Sequence, residues 1–166
     1  TASEEKLNLL LEKKADYPPA LQVLAKLYAK QNKIAKAADC YQRVIETRPK
    51  TIWAYLGLSS LWRADSHYQR AQSPLEKALS IRPNHLGVLL NLATVACEQR
   101  NYEQALSYCE RASTAHPKQL GPELKKNEIF KSFHRLKDAT THLKQLLKDY
   151  PNEPQIFLRL GRLERQ

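Results

Sequence analysis

The chain has 166 residues, of which 27 are Lys or Arg and 17 are Asp or Glu, so its formal net charge is +10. It contains no apolar run of the roughly 18 residues needed to cross a bilayer, and no charged-then-apolar leader opens it. We therefore expect no membrane span. Because the chain has no Met and begins at Thr1, we also expect it to be a fragment of a larger protein.

Apolar residues recur at helical spacing in successive stretches along the chain. Residues 1–17 carry Leu7, Leu10 and Leu11 on one helical face and predict a partial unit or an N-terminal helix. Four pairs of helical stretches follow, each pair divided by a short polar turn. They cover residues 20–31 and 34–47, 52–64 and 68–81, 86–99 and 102–115, and 122–133 and 136–150. Residues 154–166 predict a C-terminal capping helix or the start of a further repeat.

Two kinds of residue recur every 34 positions and divide the chain into repeats at 18–51, 52–85, 86–119 and 120–153. Each Pro is expected to end a helix, because Pro lacks an N–H and disfavours helical geometry in the residue before it. Each Ala lies near the start of a second helix, where a small side chain lets two helices approach closely. The two series are Pro49, Pro83, Pro117 and Pro151, and Ala37, Ala71, Ala105 and Ala139.

The order of residues within each unit resembles the tetratricopeptide repeat (TPR) pattern of a large residue, a Leu–small pair, an aromatic, an Ala, a second large residue and a Pro. In the first unit these residues are Leu21, Leu24-Ala25, Tyr28, Ala37, Tyr41 and Pro49. The resemblance covers residues 18–151. It implies an all-α fold, a right-handed superhelix (α-solenoid) of stacked antiparallel helix pairs, whose first helices line a concave face that binds protein or peptide.

The fourth unit departs from the pattern. Glu123, Lys126 and Asn127 stand where apolar and small residues are expected, whereas Phe130 and Leu143 still match. We expect the first helix of this unit to be rotated, shifted or less well packed than the others.

The resemblance places candidate partner-binding residues beside the packing stripe of each first helix. Leu56, Leu90, Leu124 and Leu158 recur there every 34 residues and are flanked by Lys and Arg. This arrangement would suit a peptide with apolar anchors and acidic groups; the alternative is that the leucines are half-buried packing residues. The candidate residues are Lys26, Lys30, Trp53, Leu56, Ser60, Arg63, Leu90, Asn91, Thr94, Glu98, Leu124, Lys125 and Lys131.

No catalytic or metal-binding motif and no cofactor is predicted. The four Gly are scattered, and the five His and three Cys lack the spacing of a ligand set. Cys40, Cys97 and Cys109 are odd in number and lie among apolar neighbours, which favours free thiols and a cytoplasmic location.

We predict a protein–protein interaction scaffold or adaptor and no enzyme within these residues. Two alternatives remain open. The array could be a targeting or oligomerisation arm of an enzyme, such as a glycosyltransferase or a sulfotransferase, whose catalytic domain lies outside this fragment. A basic solenoid could also bind RNA through phosphates. We do not expect nucleic acid as the partner, because the positive charge is spread over both helices of each unit.

Overall fold

The computed structural model describes residues 2–14, 16–163 and 165. Within these residues the fold is all-α, as predicted, with ten helices and no strand. Each paired helix begins and ends within two residues of its predicted bounds. The helices are α1 (Ala2–Lys13), α2 (Pro18–Lys30), α3 (Ile34–Thr47), α4 (Ile52–Ala64), α5 (Tyr68–Ile81), α6 (Leu86–Glu98), α7 (Tyr102–Ala115), α8 (Gly121–Ser132), α9 (Leu136–Asp149) and α10 (Pro154–Leu163).

The chain forms two compact units, residues 1–83 and residues 84–166. In unit 1, α2 pairs with α3 and α4 pairs with α5, while α3 packs against α4 and α1 packs against α2. The core of this unit is apolar and includes the fully buried Leu21, Leu24 and Val44. Successive helix pairs therefore share one core instead of forming separate hairpins.

Unit 2 repeats the same arrangement. Helices α6 and α7 form one pair, α8 and α9 form the next, and α10 packs against α9. Ile129 lies in a cluster with residues of α6 and α7. Leu143 and Ile156 join α9 and α10 to α8 in a second cluster. All three side chains are fully buried.

The two 34-residue landmarks have the structural roles that the sequence predicts. Ala37, Ala71, Ala105 and Ala139 are each completely buried. The residues before the four prolines end their helices with non-helical backbone, at φ angles of −139°, −136°, −135° and −132°. The Pro ring excludes helical geometry from the preceding residue, so each second helix stops at the same place in its unit.

The turn inside each repeat contains one residue with left-handed backbone, and none of these four residues is Gly. Their φ angles are 57° to 61°. In each turn the next residue donates its N–H to the carbonyl five positions earlier, at 2.8–2.9 Å, which closes the end of the first helix in a Schellman-type motif. The residues are Asn32, Ser66, Arg100 and His134.

His134→Gly is expected to stabilise the protein by about 0.5–1 kcal/mol. A non-Gly residue in left-handed backbone costs about 1–2 kcal/mol, which the greater flexibility of Gly in the unfolded chain offsets in part. His134 is exposed and has φ 57°. The free energy of unfolding measures the effect. His134→Ala is the control, because it removes the imidazole and keeps the Cβ; an equal gain in that variant would contradict the explanation.

The first helix of the fourth repeat keeps the register of the other first helices and is less completely packed. Asn127 is buried at the position that Ala25, Ser59 and Ala93 occupy in the first three repeats. In contrast, Glu123 and Lys126 are half-buried, whereas their counterparts in the other repeats are buried. These counterparts are Leu21, Tyr55 and Leu89, and Leu24, Leu58 and Leu92. Of the three outcomes expected from the sequence, only the weaker packing occurs.

Candidate partner-binding surface

The thirteen candidate residues all lie on first helices, namely α2 and α4 in unit 1 and α6 and α8 in unit 2. We call the side of each unit that these residues line its first-helix face. Lys26, Lys30, Ser60 and Glu98 are exposed, and Leu124 is buried. The remaining eight are half-buried, so part of each side chain packs against neighbouring residues and part is exposed to solvent. These eight are Trp53, Leu56, Arg63, Leu90, Asn91, Thr94, Lys125 and Lys131.

In unit 1, three of the predicted residues line one open cavity of about 490 Å³. Lys26 and Lys30 lie one turn apart on α2, and Ser60 faces them from α4. The lining also includes Tyr41, a residue of the second helix α3 that stands as the second large residue of the repeat pattern. In the sequence, only one feature suggests a further role for Tyr41: the corresponding residues of the other repeats are Leu or Cys.

In unit 2, Thr94 and Glu98 of α6 and Lys125 of α8 line a smaller cavity of about 180 Å³. The Lys125 ammonium donates a hydrogen bond to Glu128 Oε2 at 2.6 Å, and Arg159 donates to Glu128 Oε1 at 2.9 Å. Partial burial by itself would raise the pKa of Glu128, but these two cations lower it below its ordinary value. Glu128 is thus an ionised carboxylate that holds Lys125 and Arg159 in place. Glu128 is not one of the thirteen residues that the repeat pattern singles out.

The leucines that recur at the groove position do not share one environment. Leu124 is only 8% exposed and belongs to the core cluster with Leu143 and Ile156, so it is a packing residue. Leu56 and Leu90 are half-buried, whereas Leu158 is 62% exposed. The burial of Leu124 favours the alternative stated for these leucines, that of a packing residue, at this one position.

Trp53 also belongs partly to the core. Its ring packs against the buried cluster of unit 1, and the side chain is half-buried. Part of the side chain therefore contributes to packing and part is open to solvent on the first-helix face.

The three cysteines are free thiols, two of them buried. Burial raises the pKa of Cys40 to about 11 and that of Cys109 to about 12, which makes both thiols poor nucleophiles at neutral pH. Across residues 2–14, 16–163 and 165, no group of three or more His, Cys, Asp or Glu side chains could hold a metal ion. No helix in the same ranges has the length and apolar character to cross a membrane.

Two family models described as the tetratricopeptide repeat match residues 12–51 and 63–125, together more than half of the chain. The chain belongs to the tetratricopeptide repeat family. No curated protein matches its sequence. The TPR fold is that of a protein–protein interaction scaffold, and TPR proteins are typically non-catalytic.

Solved TPR structures share the fold at low sequence identity. A TPR protein from Parabacteroides merdae is 17% identical with a TM-score of 0.78, over 96% of this chain and 64% of that one. A thermophilic TPR protein from Thermus thermophilus, TTC0263, is 17% identical with a TM-score of 0.74, over 98% and 89%. YrrB, a TPR protein with an unusual peptide-binding site, is 19% identical with a TM-score of 0.65, over 96% and 82%. This TPR chain therefore spans less than two thirds of the length of the P. merdae protein.

Proposed function

We propose that this TPR protein is a scaffold that binds a partner protein or peptide on its first-helix faces. The observation that carries the proposal is the pair of cavities on these faces, one in each unit. Six of the thirteen candidate residues line them, and each cavity combines Lys with hydroxyl-bearing and apolar side chains. Peptide-binding grooves have this mixture of apolar contact and a few directed polar groups.

The charge of the chain favours an acidic partner. A net charge of +10 attracts a negatively charged segment at long range, and this attraction raises the association rate. Half-buried Leu56 and Leu90 add apolar surface to the faces of their respective units. We therefore expect the bound segment to combine acidic residues with apolar anchors.

The double variant Leu90→Asp with Lys125→Glu is expected to weaken partner binding at least about tenfold, because it removes an apolar contact and reverses a charge on the face of unit 2. Ligands selected from a displayed random-peptide library provide the probe, and calorimetric titration measures their affinity. Circular dichroism checks that helicity and melting stay close to those of the wild type.

A matched control changes the charge by the same amount on second helices. Ser107→Asp with Lys144→Glu alters two exposed residues of α7 and α9. This control should retain wild-type affinity. Equal losses in both double variants, or no loss in the first, would contradict binding at the first-helix face of unit 2.

A further inference from the structure

The cavity of unit 1 owes its shape to a close approach between Tyr41 and Gly57. A Cβ built on Gly57 would lie 2.3 Å from Tyr41 Cε1, 2.5 Å from Cζ and 2.9 Å from the hydroxyl oxygen. Atoms of two side chains do not approach so closely, so the tip of the Tyr41 ring occupies the space that any larger residue at position 57 would fill. The absent side chain of Gly57 thereby lets a residue of a second helix reach the first-helix face.

This combination is not a requirement of the repeat. At 34-residue spacing, the residues that correspond to Tyr41 are Leu75, Cys109 and Leu143, and those that correspond to Gly57 are Val23, Asn91, Lys125 and Arg159. An apolar side chain at the first position is sufficient for packing, as Leu75 and Leu143 illustrate by being fully buried. Packing alone therefore does not explain the hydroxyl of Tyr41 or the glycine at position 57.

The Tyr41 hydroxyl lacks a hydrogen-bond partner among the residues that the structure describes. The residue is only 6% exposed and lines the cavity. Burial raises the pKa of Tyr41, so the hydroxyl keeps its proton at neutral pH and is available as a donor. The hydroxyl oxygen is not one of the fully buried side-chain atoms that lack a partner, so water reaches it in the free protein and a bound acceptor would replace that water.

Two lysines line the same cavity as the Tyr41 hydroxyl. Lys26 and Lys30 line the cavity and are exposed, and neither forms an ion pair within the described part of the chain. Asp65 is the acidic residue of the cavity wall, and its carboxylate already lies 3.0 Å from His67 Nδ1. The cavity wall thus carries two cations, the Asp65 carboxylate and one O–H donor, which leaves an excess of positive charge for an incoming acidic group.

We propose that this cavity binds the side-chain carboxylate of an Asp or Glu in a partner segment, a proposal that rests on the peptide-binding function above. Tyr41 donates a hydrogen bond to the carboxylate, and Lys26 and Lys30 neutralise its charge. Ile34 and Leu61 of the cavity wall contact an apolar neighbour in the same segment. A phosphate group suits the site less well, because no Arg is present in the wall to bind it in a bidentate fashion.

The test is a selection of displayed random peptides on wild-type protein, followed by affinity measurements with the selected peptides. We expect one position of the peptides to be enriched in Asp or Glu. Changing that acidic residue to its amide should weaken binding to the wild type about tenfold, and should have little effect on binding to Tyr41→Phe or to Lys26→Gln with Lys30→Gln. Tyr41→Phe keeps the buried ring, so its fold is preserved.

Matched controls change the same groups outside the cavity. Tyr68→Phe removes a hydroxyl elsewhere in unit 1, and Lys50→Gln with Lys77→Gln removes two exposed charges. Both controls should keep the full dependence on the acidic residue. Inorganic phosphate and acetate serve as competitors; displacement of the peptides by phosphate at concentrations where acetate has no effect would overturn the assignment of a carboxylate.

The outcomes separate this proposal from the one on which it rests. Peptides that bind the first-helix faces without acidic enrichment, or whose acidic preference persists in Tyr41→Phe and in the double Lys variant, would overturn the carboxylate site and leave peptide binding intact. A selection that yields no peptide for the wild type would overturn both.

Discussion

Asn127→Asp is expected to destabilise the protein by about 3–5 kcal/mol at pH 7, because it places an unpaired carboxylate in the interior. Asn127 has no exposed surface. Its amide nitrogen donates a hydrogen bond to the carbonyl oxygen of Ala139 at 2.8 Å, and its Oδ1 atom is buried without a partner among the described residues. An aspartate would set a negative oxygen against that carbonyl where the amide N–H now lies.

The cost should depend on pH in a defined direction. Burial raises the pKa of a carboxyl group above its ordinary value of about 3.9, so the folded variant binds a proton that the unfolded chain releases. The loss of stability is therefore largest above that raised pKa and shrinks as the pH falls towards about 4. The protonated acid could then donate to the Ala139 carbonyl. Denaturant unfolding at pH 7 and pH 4 measures both values.

Asn127→Ala is the natural control, because Ala occupies this position in the first and third repeats. It should cost less than about 2 kcal/mol, since it removes one hydrogen bond together with one unsatisfied oxygen, and its effect should not vary with pH. Equal stability of the Asp and Ala variants at pH 7 would mean that residue 127 is not buried against Ala139.

Glu123→Gln is expected to destabilise the protein by about 1–3 kcal/mol at pH 7, the range for hydrogen bonds to a charged group. Glu123 Oε1 accepts a hydrogen bond from the Ser113 hydroxyl, and Oε2 lies 2.8 Å from His142 Nε2. These contacts join α8 to both α7 and α9 at the position where the other repeats have a large apolar or aromatic residue. An uncharged amide would lose the charge-assisted part of both contacts.

The pH dependence of this variant follows from the pKa of Glu123. The hydrogen bond with His142 is the main cause that lowers this pKa from 4.5 to about 2; burial opposes the shift, and Ser113 and Lys126 add to it. A carboxyl group with a lowered folded pKa stabilises the fold above its ordinary pKa and loses that contribution as the pH falls through the folded value. The difference between the wild type and Glu123→Gln should thus be full at pH 7 and decrease between pH 4.5 and 2.

The exposed Glu46 provides the comparison for this experiment. Glu46→Gln should change stability by no more than about 0.5 kcal/mol. A difference between wild type and Glu123→Gln that stays constant from neutral pH down to about 3 would contradict the proposed carboxylate link. Carboxyl carbon shifts of Glu123, followed by NMR through the same range, report its titration directly.

Asn127 and Glu123 also indicate how a weakly matching repeat keeps the family fold. The fourth repeat has lost two of its apolar packing residues, yet α8 lies in the same register as the other first helices. Glu123 is bonded to Ser113 and His142, and the Asn127 amide nitrogen donates to the Ala139 carbonyl, while Asn127 Oδ1 stays unpaired among the described residues. The contacts of Glu123 weaken when its carboxylate is protonated, so we expect α8 and α9 to respond first to acid.

The helices and their ends were determined by the sequence alone, because the signals that define them are local. The helical spacing of apolar residues defines each helix within a few turns, and the Pro excludes helical geometry from the residue before it. The period of 34 residues repeats these local signals along the chain.

Only the tertiary structure decided which residues beside the packing stripe are accessible. Leu124 and Leu158 have the same place in the repeat, but Leu124 packs in a cluster with residues of α9 and α10, whereas Leu158 is exposed. Tyr41 has the sequence position of a core residue and reaches the binding face only because Gly57, on a different helix, leaves space for its ring. Accessibility depends on side chains distant in sequence, and a periodic pattern contains no information about them.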